Sequence, residues 1–149
     1  MKKFTFFLLI YSVTVIAEQQ QDFPKVTVYK SPTCGCCSKW INHLEANGFS
    51  VVAHDVQDVN LIKTQNGLPP QLASCHTALV DGYVVEGHVP AADIKRLLTE
   101  KPDIKGVATP GMPIGSPGME HGDRKDTFDV VAFDRQGKTS RFSHYQGSQ

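Results

Sequence analysis

The sequence is short of several things at once. Its charge has no excess of either sign, with 15 Lys and Arg facing 15 Asp and Glu among 149 residues. It has no basic patch of the kind that nucleic-acid phosphates attract, so no nucleic-acid partner is expected. Paired carboxylates, a Ser/His/Asp order and a phosphate-cradling glycine loop are all missing, which removes hydrolase and nucleotide chemistry. Internal repeats and low-complexity tracts are absent too. The longest apolar run, Phe4 to Ile16, spans about 13 residues, against the ~20 that a bilayer-spanning helix takes. Cysteine is sparse, at four residues, and methionine at three. Where those few sulfurs fall is the informative part.

The first residues form an export signal. Lys2 and Lys3 precede the apolar run, and Val15-Ile16-Ala17 supplies small residues at its exit. Residues 1–17 therefore read as a secretory signal peptide, with the mature chain beginning near Glu18. A retained anchor is the alternative, but the run is too short to span a membrane, and no cysteine near the junction offers a lipid attachment. The expected location is the periplasm, with membrane contact only through the removed leader. Residues 18–24 read as a flexible polar lead-in, 25–145 as one domain and 146–149 as a tail. The 132 residues left after cleavage suffice for one domain with a core. They carry 13 basic and 15 acidic residues, a net charge near −2.

Three of the four cysteines lie within four positions, as Cys34-Gly35-Cys36-Cys37. The alternating Val26 and Val28 precede them, and Trp40, Ile41 and Leu44 follow with helical spacing. This reads as a strand, a short loop and a helix with the thiols at its N-terminus. Unpaired amides and the helix dipole there favour thiolate over thiol. In an oxidising compartment four cysteines would ordinarily mean two disulfides. The pattern here is not a stapling one, because Cys36 and Cys37 are adjacent and a bridge between neighbours is strained. A redox centre or a soft-metal site fits better. Cys37 shares the buried helix face with Trp40, Ile41 and Leu44, whereas Cys36 lies about 100° round the helix and Cys34 precedes its first turn.

Further along, residues 50–53 read as a second strand and 58–66 as a short helix with Asp58 as N-cap and Gly67 as stop. This strand–helix–strand–helix opening favours a parallel pairing of the first two strands. Thr77 to Val80 and Tyr83 to Val85 flank Asp81-Gly82, a hairpin signal. Pro90 opens a helix with Ile94, Leu97 and Leu98 on its inner face. Val107 to Gly122 is a Gly/Pro-rich loop, and residues 127–134 with 139–145 form a second hairpin that completes the sheet.

That order of elements, with the cysteine motif at the first helix, resembles the thioredoxin/glutaredoxin architecture, an α/β fold with a mixed sheet flanked by helices. The opening Val26-Thr-Val-Tyr-Lys-Ser-Pro-Thr-Cys34 is similar to that of glutaredoxins. Cys34-Gly-Cys-Cys37, Ser74-Cys-His-Thr77, Gly87-His-Val-Pro90 and Gly111-Met-Pro-Ile-Gly-Ser-Pro-Gly-Met-Glu120 together resemble the copper-resistance-associated CopG family of exported metal-binding proteins. The likeness covers essentially the whole mature chain. Thioredoxins carry a cis-proline in the loop facing the thiols. Here the matching dipeptide is Cys75-His76, so the resemblance implies that Cys75 is a fourth thiol facing the other three.

Soft thiolate and thioether donors select Cu(I). Zinc held by Cys34, Cys37, Cys75 and His76 is the rival, but it leaves Cys36 unexplained. Adjacent cysteines suit bridging between neighbouring metals, so a small polynuclear Cu(I)–thiolate cluster through Cys34, Cys36, Cys37 and Cys75 is expected. An iron–sulfur cluster has no matching spacing. Met112 and Met119 lie in a loop with little other apolar content and are candidate ligands in a lid over the cysteines, although methionine more commonly fills apolar gaps. His76 is a ligand or supporting candidate, its ring on the opposite face from Cys75 if the segment is extended. His121, beside Met119, could assist copper or stand free. His43 reads as a solvated side chain, His54 as a strand end and His88 as part of a turn, and His144 receives no role.

Two functions follow. One is a periplasmic copper-binding protein of copper tolerance, exchanging ions with an exporter, a copper chaperone or an oxidase, as the CopG resemblance implies. The other is a thiol or copper-coupled oxidoreductase, with Cys34 attacking and Cys37 resolving.

Overall fold

A computed structural model describes residues 22–148. The expected signal peptide, residues 1–17, lies outside the described residues. The chain runs β1 (Val26–Lys30), α1 (Gly35–Ala46), β2 (Val51–Asp55), α2 (Val59–Gln65), a 3-10 turn (Pro70–Leu72), β3 (His76–Val80), β4 (Tyr83–Gly87), α3 (Ala91–Glu100), β5 (Gly106–Thr109), β6 (Phe128–Phe133) and β7 (Thr139–Tyr145). The strands form one mixed sheet in the order β2-β1-β3-β4-β5-β6-β7. β1 pairs parallel with β2 and β4 with β5, and the other neighbours are antiparallel. The fold is thus the expected α/β class.

Local chemistry accounts for most of the boundaries. Asp58 caps α2 by accepting the Asn60 N–H at 2.9 Å, satisfying an amide that the helix cannot. Asp81 and Gly82 both have positive φ, 47° and 82°, the backbone of the tight hairpin turn between β3 and β4. α1 buries Cys37, Trp40 and Leu44, three positions on one helical stripe. Trp40 and Leu44 meet Val26, Val28, Val85, Ile94, Leu97 and Val107 in the main core. A smaller cluster of Leu68, Leu72, Val84, Ala108 and Phe133 forms separately. Val84 and Val85 point to opposite faces of β4, so the two clusters cover both sides of the sheet.

One expected loop begins differently. Val107 to Thr109 belong to β5 rather than to the Gly/Pro-rich loop, and they are fully buried between β4 and β6. A short strand covered on both faces shows no alternation, so periodicity could not mark it. The hairpin β6–β7 is tied to α3 by buried Asp93, whose carboxylate accepts hydrogen bonds from Tyr145 at 2.6 Å and from Ser143. Burial, first, and then the Asp93 hydrogen bond keep the Tyr145 hydroxyl protonated well above its usual range.

His43 is not a freely solvated side chain either. Its Nε2 accepts the Ala91 N–H at 3.1 Å, capping one of the unpaired amides that open α3. Burial holds its pKa below the ordinary value of 6.5, against a smaller opposing pull from Glu120. A histidine whose folded pKa is depressed contributes stability in full above its unfolded value and loses it as pH falls through the folded value. The denaturant midpoint is expected to fall between pH 7 and pH 5, and the fall to shrink in His43→Gln. An equal fall in both proteins would contradict the cap.

Candidate metal centre

The cysteines gather because two strands end side by side. β1 stops at Lys30, a turn closes with the Cys34 N–H on the Ser31 carbonyl at 3.1 Å, and Cys34 becomes the N-cap of α1. β3 runs antiparallel to β1 with His76 opposite Lys30. Cys75, the residue before β3, is therefore delivered to the N-terminus of α1. The Sγ atoms of Cys34, Cys36, Cys37 and Cys75 all lie within 4.8 Å of one another. Cys37 is buried and the other three are partly exposed. Cys34 and Cys37 are joined in a disulfide with Cα atoms 5.4 Å apart, and Cys36 and Cys75 are free thiols. The two-disulfide alternative is thus not the arrangement found.

The sulfur separations are informative. Two thiolates on one tetrahedral metal, with bonds of ~2.3 Å, stand roughly 3.8 Å apart. Cys34–Cys36 is 3.5 Å, Cys36–Cys75 is 3.9 Å and Cys37–Cys75 is 3.6 Å. Both Cys36 and Cys75 thus have two sulfur neighbours at ligand-sharing distance, and once the Cys34–Cys37 disulfide is reduced the four thiolates form a set close enough to bridge. The donor set is all sulfur and fits a soft ion.

Two histidines stand behind Cys75. His88 Nε2 is 3.0 Å from its sulfur, and His88 Nδ1 is 2.8 Å from the Pro117 carbonyl. A carbonyl only accepts, so the ring proton sits on Nδ1 and Nε2 accepts the Cys75 S–H. His76 Nδ1 is 3.3 Å from the same sulfur, and its ring lies against Trp40 with centroids 4.4 Å apart. His76 does not turn away from Cys75, because Cys75 precedes the strand and the alternation of an extended segment does not apply to the pair. Cys75, His76 and His88 form a second group able to hold an ion. Burial drives the His76 pKa far below its usual value, with smaller contributions from His88 and Lys63, and burial also lowers that of His88.

His88 is the residue that sequence reasoning missed, having been assigned only to a turn. The available signal was Gly87 before it. A Cβ on Gly87 would meet the Ser74 side chain at 2.6 Å and the Thr109 carbonyl at 2.7 Å. Only a glycine lets the end of β4 come this close to the Cys75 loop.

The downstream loop covers part of the centre. A Cβ on Gly118 would strike the Cys36 carbonyl and the Trp40 nitrogen, each at 2.8 Å, so the loop rests directly on the first turn of α1. Cys36, Lys39, Met119, Glu120 and His121 line an open hollow of about 450 Å³ there. Met112 is 52% exposed and lines a different hollow, with Pro113, Phe128 and Val131. The loop thus places Met119 and His121 in the hollow that Cys36 also lines and leaves Met112 apart.

This is an α/β protein with a cysteine cluster capable of holding a metal. A family model described as "Protein of unknown function, DUF411" matches residues 72–119. Two solved structures of copper resistance protein CopG are each 49% identical to the chain. Form 2 has a TM-score of 0.81 over 84% of this chain and 100% of that one, and form 1 has 0.80 over 85% and 100%. No curated protein matches. The chain belongs to the CopG copper resistance family, and its function is copper-related.

Burial, followed by repulsion from Cys36, raises the Cys75 pKa from 9.0 to about 11, so at neutral pH it is a thiol that any metal must deprotonate. In the metal-free protein, alkylation of Cys75 is expected to stay slow at pH 8 and to accelerate toward pH 11, read by peptide mass spectrometry. A rate already saturated at pH 8 would contradict this.

Proposed function

We propose that the protein is a periplasmic copper-tolerance factor that binds Cu(I) as a small polynuclear thiolate cluster through Cys34, Cys36, Cys37 and Cys75. The observation that carries the reading is the chain of short sulfur separations running Cys34, Cys36, Cys75, Cys37. A single zinc on Cys34, Cys37, Cys75 and His76 uses no bridging thiolate and gives Cys36 no part, whereas a cluster uses every sulfur. Met119 is the added thioether donor, a reading supported by its place in the hollow that Cys36 also lines. His88 Nε2 receives the hydrogen bond of the Cys75 thiol until copper displaces the proton, and His76 Nδ1, 3.3 Å from the same sulfur, helps hold Cys75 in place. Met112 is the weakest ligand of the set proposed from sequence, being exposed toward another hollow. The leader-like residues 1–17 support export to the periplasm, where bound copper is passed to an exporter or exchanged with a copper chaperone or oxidase.

A second reading draws on the Cys34–Cys37 disulfide. Oxidation of the Cys34 and Cys37 thiolates to their disulfide releases two electrons. Reduction of two Cu(II) ions to Cu(I) takes up two. The same centre is thus able to couple disulfide formation to copper reduction, or, with a dithiol partner as reductant, to run thiol–disulfide exchange with Cys34 as the attacked sulfur and Cys37 shielded.

Anaerobic reconstitution of the reduced protein with Cu(I) and with Zn(II), counting metal per chain by native mass spectrometry, separates the readings. The cluster predicts more than one Cu(I) per chain, reduced in Cys36→Ser and in Cys75→Ser alike. One zinc per chain, bound equally well by Cys36→Ser, would overturn it. Disulfide exchange at wild-type rate in Cys75→Ser, with no retained copper in either protein, would favour the oxidoreductase alone.

A further inference from the structure

Behind the Cys75 loop lies a charged group that the thiol site does not touch. Glu86, in β4, is 0% exposed and ion-paired with Lys63 of α2 at 2.5 Å. The same carboxylate oxygen accepts the Ser74 backbone N–H at 2.6 Å. The other oxygen accepts the Thr77 hydroxyl at 2.6 Å, and Thr77 Oγ1 in turn accepts from Lys63 Nζ at 3.0 Å. Ser74 and Thr77 bracket the dipeptide Cys75-His76, so one buried carboxylate grips the backbone or side chain on each side of it.

Stability alone accounts poorly for such a group. Removing a carboxylate and an ammonium from water costs about as much as their attraction returns, and an apolar pair of similar volume often does as well. What an apolar pair could not do is accept the Ser74 N–H. That loop has one demanding task, which is to hold Cys75 Sγ 3.6 Å from Cys37 and 3.9 Å from Cys36. Against metal–sulfur bonds of ~2.3 Å, a displacement of about 1 Å would take the fourth sulfur out of a shared coordination sphere.

We propose that Glu86, secured by Lys63 and Thr77, is a positioning residue of the metal centre that sets the place of Cys75 relative to the thiols of α1. The inference rests on the reading that Cys75 is a shared metal ligand. Lys63 neutralises the carboxylate and fixes its orientation, and Thr77, paired with Glu86 across β3 and β4, keeps its second oxygen aimed at the start of β3.

The test compares Glu86→Met and the double variant Lys63→Met/Glu86→Met, which leave the Ser74 N–H without its acceptor, with wild type and Cys75→Ser, using Cu(I) competition titrations and the ultraviolet Cu(I)–thiolate absorption. The double variant carries the comparison if the single one, with Lys63 left unpaired, does not fold. Asp93→Asn is the control, a buried carboxylate that ties α3 to β7. Both Glu86 variants are expected to lose about 10–100-fold in Cu(I) affinity and to take on the absorption spectrum of Cys75→Ser. Asp93→Asn should lower Tm while leaving affinity and spectrum as in wild type. Glu86 variants that melt early but keep wild-type affinity and spectrum would overturn the inference. A Cys75→Ser protein that binds Cu(I) like wild type would instead remove the reading on which it stands.

Discussion

The register of β3 against β1 is the constraint on which the site depends. His76 opposite Lys30 places the residue before β3 beside the turn after β1, and only in that register does Cys75 meet a motif 38 residues earlier in the chain. A slip of one residue would send every side chain of β3 to the other face of the sheet. The register is specified on several sides. His76, Ala78 and Val80 must stay buried, the Asp81-Gly82 turn sets the hairpin with β4, and Thr77 must lie opposite Glu86. The copper-related chemistry is therefore a consequence of strand pairing before it is one of cysteine content.

Burial then decides the protonation of the centre. The Cys75 thiol is held neutral, and so are His76 and His88 beside it. The neutral thiol and the neutral imidazoles avoid both an uncompensated thiolate and an uncompensated imidazolium, each costly where water is scarce. A soft cation changes the balance by stabilising thiolate directly. The partly exposed Cys36 opens to the hollow that Met119 and His121 line, whereas Cys37 is shielded from water.

Much of this was legible in the sequence. Trp40, Ile41 and Leu44 placed α1 and the buried side of Cys37, Asp58 marked the start of α2, and Asp81-Gly82 marked the hairpin. The position of Cys75 needed more than periodicity, since the loop before β3 has none, and came from a family resemblance. β5 was invisible because four buried residues carry no alternation. His43 and His88 were misread for one shared reason. Each owes its role to a contact distant in sequence, with Ala91 in one case and with Cys75 and Pro117 in the other, which helix and strand periodicity do not report. The ion pair of Lys63 with Glu86 was hidden in the same way, as two charged residues on separate elements that local pattern assigns to the surface.

The central claim is that the four sulfurs act as one bridged set. Copper-edge X-ray absorption on the Cu(I)-loaded protein tests it most directly, because it reports both the ligands of copper and any second copper nearby. The account predicts a sulfur-dominated first shell together with a short copper–copper vector, the latter lost in Cys36→Ser. A single copper surrounded mainly by nitrogen or oxygen, with no copper neighbour, would contradict it.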